Sequence, residues 1–327
     1  MVDHSRWIPL DLDSDEEPPA DLVPRVLTPG WLTLFSGPPG SGKSNAYQAL
    51  VAAALNGTDW LGMPVRGIEH VIVVDEENPP FVVRQRLHAF GVKDCAGRLR
   101  YYSQIGCRLG EGEWVEELLE IAAEFGPHLV VIDSASSATT TATNENDSIA
   151  QTFAAVLRPL ARLGAAVLIL HHDRKASGPV ADRVLGGVQW LGQVDRQIAF
   201  EAKATRADEW TTPNGTLRAN FPTRLVAGKS RQGVGIPNTA VLIESEQDQD
   251  GAYRWMQLSV TEGEPDKGAA FAQRVVDALG AGQMRNIDLA ERLGVKPNDS
   301  RLRSALATLT QRGEIVKLAP GLYELAP

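Results

Sequence analysis

The 327-residue chain is 43% hydrophobic and 22% charged, an ordinary globular composition with enough apolar material for one large core and a smaller one. Its net charge of −9 argues against nonspecific nucleic-acid binding over the whole surface, and its longest apolar stretches, such as Ala165 to Leu170, fall well short of a membrane span. No charged-then-apolar leader opens it, so a cytoplasmic protein without membrane contact is expected, and the two cysteines, Cys95 and Cys107, are too few for a disulfide framework and show no metal-ligand spacing.

From Asp11 to Leu22 the chain carries six acids, two prolines and no base, and residues 1–26 are expected to form a flexible acidic arm. A strand (Leu32 to Ser36), a glycine-rich turn and a helix follow, the helix reading from Ala46, Leu50, Val51 and Leu55 and stopping at Asn56-Gly57. A β-branched run, Val71 to Asp75, predicts a strand buried on both faces, with a helix around Val83 to Phe90 after it. Helix 113–125, strand Leu129 to Asp133, a Ser/Thr-rich loop (Ser134 to Thr143), helix 146–163 and strand Ala166 to Leu170 complete an alternation that implies an α/β fold with a mainly parallel sheet covered on both sides. Four later segments, Gln197 to Ala202, Leu217 to Ala227, Ala240 to Glu244 and Arg254 to Val260, read as antiparallel edge strands. The core domain is placed at 27–261 and a linker at 262–268 (EGEPDKG from Glu262). In 269–327, helices at Ala269 to Leu279, Ile287 to Leu293 and Asp299 to Arg312 precede strands Ile315 to Leu318 and Leu322 to Leu325, the order of a winged helix-turn-helix.

Gly37-Pro38-Pro39-Gly40-Ser41-Gly42-Lys43-Ser44 fits G-x-x-x-x-G-K-S in full, between a predicted strand and a predicted helix. The glycines let successive backbone N–H groups converge on phosphate oxygens at the positive end of the following helix. Lys43 is then placed on the β/γ-phosphates of ATP and Ser44 on Mg²⁺. Asp133, closing the apolar strand Leu129 to Asp133, is the expected partner of the metal. Glu76 and Glu77 follow the Val71 strand, where a carboxylate can serve the attacking water.

In order along the chain these motifs are GPPGSGKS, Trp60-Leu61-Gly62, Asp75-Glu76-Glu77-Asn78-Pro79, Arg84 to Leu87, VVIDS and His171-His172-Asp173-Arg174-Lys175. From about Leu27 to Gln232 the sequence resembles the RecA-like superfamily, and within it the hexameric-helicase relatives typified by plasmid RepA helicases, with related small AAA-type ATPases of the KaiC and DnaB kind. The resemblance implies a catalytic role for Glu77, with Glu76 as the alternative, and a γ-phosphate sensor at His172, with His171 as runner-up. It also implies that Lys229 and Arg231, in Lys229-Ser230-Arg231, complete a neighbouring subunit's site, which makes the protein a homo-oligomer with a hexamer favoured. The glycine-serine element that often follows the sensor histidines in this family is here Arg183-Val184-Leu185-Gly186-Gly187-Val188.

Residues 268–327 hold eight Lys+Arg against six Asp+Glu, a net of +2, which leaves −11 on the remainder. DNA contact is therefore expected from this module, through Arg301, Arg303 and Arg312 of its third helix. The leading expectation is an ATP-hydrolysing oligomeric ATPase acting on DNA as a helicase or a replication- or recombination-associated motor. The alternative is an ATP-dependent regulatory switch whose C-terminal module docks a protein and which translocates nothing. A small-molecule kinase ranks third, since nothing between 134 and 260 reads as a lid or acceptor pocket.

Overall fold

The computed structural model describes residues 12, 15, 17–138, 146–173, 183–184, 188–202, 208–261 and 267–326. Most of the expected acidic arm, the linker at 262–266, and Arg174 and Lys175 lie outside the described residues. The arm's last part is a correction to the sequence reading: Val23 and Val26 are wholly buried and Leu22 nearly so. The composition turns apolar at Leu22, and this short apolar run joins the core beneath helix Lys43–Asn56.

The strands are β1 (Leu32–Gly37), β2 (Val71–Asp75), β3 (Leu99–Ser103), β4 (Leu129–Asp133), β5 (Ala166–His172), β6 (Arg196–Ala202), β7 (Asp208–Thr211), β8 (Leu217–Ser230), β9 (Thr239–Gln247) and β10 (Tyr253–Val260). They form one sheet in the order β10-β9-β8-β6-β1-β5-β4-β2-β3, with β7 on β8. β1, β2 and β4 are buried at every position, because successive residues feed opposite layers. Phe35, Val71, Val73, Leu129 and Val131 join the layer of α1 (Lys43–Asn56) and α2 (Pro80–Ala89). Leu32, Leu34, Ile72, Val74, Val130 and Ile132 join the layer of α3 (Gly112–Phe125) and the helical run 146–162. A two-residue side-chain period on a two-faced sheet requires this unbroken apolarity.

The expected helix 146–163 is α5 (Asn146–Thr152) and α6 (Arg158–Arg162) joined by a π-helical turn, Phe153–Leu157. A short α4 (Ala135–Ala138) opens the segment read as a loop, and α7 is Val188–Gln193. Two strands of this sheet, β3 and β7, have no counterpart in the sequence reading, and β6 corrects it: it pairs parallel with β1 and antiparallel with β8. Its Ile198, Ala199 and Phe200 are all buried, so it is an interior strand at which the sheet changes direction. β8, β9 and β10 are antiparallel, as read. No helix among the described residues is long and apolar enough to cross a membrane.

The C-terminal residues build their own small core around Phe271, Val275, Leu289, Leu302 and Leu306. It comprises α8 (Lys267–Leu279), α9 (Asn286–Arg292), α10 (Ser300–Gln311) and a three-stranded sheet, β11 (Met284–Arg285), β13 (Leu322–Leu325) and β12 (Ile315–Ala319). Asp277 of α8 ties it to the larger sheet, accepting from Trp210 Nε1 at 2.7 Å and Arg218 Nη1 at 3.0 Å.

Candidate active site

The carboxyl ends of the parallel strands converge on one edge of the sheet, where open α/β folds bind ligands. Register lines them up, with Gly37 opposite His172 and Asp75 opposite Asp133. The turn after β1 needs its glycines: a Cβ on Gly37 would stand 2.7 Å from the Phe200 carbonyl oxygen, and Gly42 takes φ +92° where it caps α1. Gly40 also has positive φ, at +73°.

Lys43 is almost fully buried and donates to the Gly37 carbonyl at 2.8 Å and the Pro38 carbonyl at 3.1 Å, with His172 Nδ1 3.5 Å away. Burial lowers its pKa, while Asp133, Glu77 and Asp173 pull the other way. Ser44 Oγ donates to Asp133 Oδ2 at 2.8 Å. Burial, then the Asp75 and Glu77 charges, push the Asp133 carboxyl up, against the Ser44 hydrogen bond and Lys43. Hard oxygen donors beside an excess of negative charge are a donor set that fits Mg²⁺ completed by phosphate and water oxygens. A cradle that a Cβ would fill at Gly37, and a buried Ser41 Oγ without a hydrogen-bond partner, likewise fit a polyphosphate.

The two adjacent glutamates are sent to different places. Glu76 accepts the backbone N–H groups of Gly106 and Cys107 at 3.1 and 3.0 Å, so it pins the loop after β3. Glu77 points into the cleft and accepts from Ser134 Oγ, from Ser137 Oγ at 3.3 Å and from His172 Nε2 at 2.9 Å if that nitrogen carries the proton. Burial alone would raise its pKa, but the His172 and Ser134 hydrogen bonds and the His172 and Lys43 charges outweigh it and hold it at about 2. The histidines part in the same way: His171 is fully buried and stacks on Trp190 at 4.6 Å, beneath the sheet. His172 alone of the pair reaches both Lys43 and Glu77.

A cleft of about 330 Å³ runs from Gly40–Asn45 past Glu77, Asn78, Arg86 and His172 to the inner face of β8–β10. Leu217, Ala219 and Phe221 of β8 line it, whereas the intervening Arg218 faces the opposite side and meets Asp277. The sequence reading missed several residues here. Ser134 and Ser137 sit directly after the strand that ends in Asp133, and Asn78 follows Glu77, so their positions were visible but their partners were not. Tyr47 lies one helical turn beyond Lys43, and Tyr101 lies on the unpredicted β3; only pairing brings the two phenols to Asp75.

Lys229 and Arg231 are away from this cleft. β8 ends beside the start of β6, at the amino end of β1, where Lys229 Nζ donates to the Leu191 and Gly192 carbonyls and Arg231 Nε meets Asp195 at 2.6 Å. In the C-terminal unit Arg301 is engaged by Asp299 at 3.0 Å and lies over the Phe271 ring, Arg303 donates to the Asn298 carbonyl at 3.3 Å, and Arg312 lies 3.8 Å from Glu314. Arg183 pairs with Glu201 at 2.7 Å, and 185–187 lie outside the described residues.

A family model described as AAA domain matches residues 3–178. Among solved structures, a KaiC-like protein from the hyperthermophilic archaeon Pyrococcus horikoshii aligns over 74% of this chain and 94% of its own, at 13% identity and TM-score 0.49. The RadB recombinase aligns over 72% and 93% at 15% identity and TM-score 0.44. The flagellar accessory protein FlaH from Methanocaldococcus jannaschii aligns over 72% and 91% at 14% identity and TM-score 0.44.

Proposed function

The chain belongs to the AAA domain family, and from that premise we propose that it is an ATP-hydrolysing, RecA-like oligomeric ATPase acting on DNA, as a helicase or a replication- or recombination-associated motor. The observation that carries the reading is the convergence of Lys43, the Ser44–Asp133 pair and the Glu77–His172 pair on one cleft beside the glycine turn. The N–H groups of Gly40 to Ser44 and the Lys43 ammonium bind the phosphates, with Lys43 exchanging its two carbonyl partners for phosphate oxygens. Ser44 and Asp133 would hold Mg²⁺, which when bound would supply positive charge to offset that of the phosphates. Glu77 orients the water that attacks the γ-phosphorus and accepts its proton as the β–γ bridging bond breaks. His172 reports the γ-phosphate to Glu77, since its two ring nitrogens face Lys43 and Glu77.

Lys229 and Arg231 serve the neighbouring subunit's site, a reading supported by their place at the opposite end of β1 from their own glycine turn. A hexamer is the favoured assembly. The domain division is an N-terminal arm up to residue 21, a core domain over 22–261, a linker over 262–266 and a C-terminal unit from Lys267, with the last a winged helix-turn-helix that contacts duplex DNA through Arg301, Arg303 and Arg312. The second reading, a regulatory switch that docks a protein, draws support from the acidic partners of Arg301 and Arg312, which mute an already weak basic face. The deciding experiment is phosphate release from Mg²⁺-ATP with and without DNA, with Lys43→Ala as control. DNA-stimulated turnover that Lys43→Ala abolishes supports the motor. Slow turnover indifferent to DNA supports the switch.

A further inference from the structure

Asp75 is fully buried beside the site, yet its hydrogen-bond partners among the described residues include neither Lys43 nor any side chain expected to meet a phosphate. Its carboxylate is satisfied by uncharged donors. Oδ1 accepts the backbone N–H groups of Glu77 at 3.0 Å and Asn78 at 2.8 Å. Oδ2 lies 2.7 Å from the Tyr47 hydroxyl and 2.6 Å from the Tyr101 hydroxyl. The Asn78 side-chain amide donates to both oxygens, at 3.1 and 3.0 Å, and also to Asp133 Oδ2 at 3.1 Å. Burial raises the pKa of both phenols, so they remain protonated donors across the working range.

The placement of these donors is informative. Tyr47 lies four residues after Lys43 on α1, which puts it on the same side of the helix that begins at the glycine turn. Glu77 and Asn78 form the turn that presents Glu77 to the cleft, and Tyr101 comes from the neighbouring β3. One carboxylate therefore joins the helix that carries the phosphate-binding lysine to the turn that carries the water-directing glutamate. A buried carboxylate stripped of water is costly unless its lone pairs are filled, and here every donor but Tyr101 sits on the helix that carries Lys43 or in the turn that carries Glu77. We propose that Asp75 is a positioning residue for ATP hydrolysis, setting the separation and orientation of Glu77 relative to Lys43, with Asn78 carrying the same constraint on to Asp133. This rests on the ATPase reading above.

Asp75→Asn keeps size and shape but replaces one acceptor oxygen with an NH₂ donor: with its carbonyl oxygen on the Glu77 and Asn78 backbone N–H groups, the NH₂ faces the two phenols where Oδ2 had accepted from them. Because misplacing a reacting group by about 1 Å costs on the order of 100-fold, kcat should fall about 10- to 100-fold. KM and the Kd for a fluorescent ATP analogue should stay within about threefold, because nothing that binds phosphate has been removed. The discriminating readout is a double-mutant cycle on the full-length protein. In a Glu77→Gln background Asp75→Asn should change the residual turnover by less than about twofold, since a residue acting through Glu77 has nothing left to position. An equal loss in both backgrounds assigns Asp75 a purely structural role and overturns the proposal, as does normal kcat in Asp75→Asn beside a slow Glu77→Gln. Should Asp75→Asn fail to fold, Tyr101→Phe removes one donor from a partly buried position and enters the same cycle with an expected loss of about three- to tenfold. No ATP turnover by the wild-type protein, with or without DNA, would instead sink the ATPase reading itself.

Discussion

Glu77→Gln is the sharpest probe of the cleft, because glutamine keeps the shape and can still accept hydrogen bonds from Ser134 and His172 while losing the charge. General-base assistance contributes roughly 100- to 10,000-fold. A carboxylate held at a pKa of about 2 is a weak proton acceptor near neutral pH, so its main service is to aim the water. That places the expected loss at the low end, about 100-fold in kcat or roughly 2.7 kcal/mol, with nucleotide affinity retained. The same pKa carries a sign. The folded value lies below the unfolded value of about 4.3, so the stabilising contribution is complete above that pH and is lost as pH falls toward about 2. Kinetically, Glu77 stays ionised throughout the neutral range and contributes no acid limb there. Steady-state phosphate release at a series of pH values, alongside acid unfolding of both proteins, checks both points. Near-normal turnover in Glu77→Gln beside an inactive Glu76→Gln would move the role one residue upstream, although Glu76 is committed to Gly106 and Cys107. An acid limb near pH 6 that vanishes in Glu77→Gln would refute the hydrogen-bonded carboxylate as described.

Gly42→Ala forces an alanine to φ +92° with its Cβ 2.5 Å from Ile243 Cδ1. That side-chain tip can move but the dihedral cannot, so a cost of about 1–2 kcal/mol is expected in thermal or denaturant unfolding, together with weaker ATP binding; unchanged stability would refute the strain. Arg231→Ala and Lys43→Ala proteins, each inactive alone, should partly recover activity when mixed, because Arg231 stands far from its own cleft; no recovery in a verified mixed oligomer, or full activity in a monodisperse monomer, overturns the inter-subunit reading. Changing Arg301 and Arg303 to Ala should lower the slope of log affinity for duplex DNA against log salt by about one to two. Arg303 should contribute more, since Asp299 already engages Arg301, and an isolated 268–327 fragment that binds no duplex at low salt while the truncated core does would favour protein docking. Asp277→Ala leaves Trp210 Nε1 and an Arg218 N–H without their acceptor, a cost of about 1–3 kcal/mol, and should speed hydrogen exchange in β7 and α8; unaltered protection would show that the junction is held elsewhere.

Much of this molecule is legible in the chain because its signals are local. Val71 to Asp75 and Leu129 to Asp133 read as strands buried on both faces since a central parallel strand must be apolar at every residue. The glycine turn is equally local: eight consecutive residues between a strand and a helix specify a phosphate cradle, and the later structure only orients it. Asp133 is found by the same logic, as the first polar residue after an apolar run.

What needed tertiary structure was whatever depends on a partner distant in sequence. β3 escaped notice because Leu99-Arg100-Tyr101-Tyr102-Ser103 is only partly buried and has no periodic contrast; it is a strand because β2 offers it a parallel edge. β6 looked like an added edge strand, yet the pairing of Ile198 and Ala199 with β1 on one side and β8 on the other makes it interior. Glu76 and Glu77, or His171 and His172, are indistinguishable by residue type and spacing. Adjacent residues on an extended backbone face opposite ways, so once β5 is fixed between β1 and β4, one histidine goes to Trp190 and the other to Lys43. The tie from Asp75 to Tyr47 and Tyr101 spans three separate elements. No spacing rule encodes it, because a buried carboxylate takes whichever donors the packed sheet and helix bring to it.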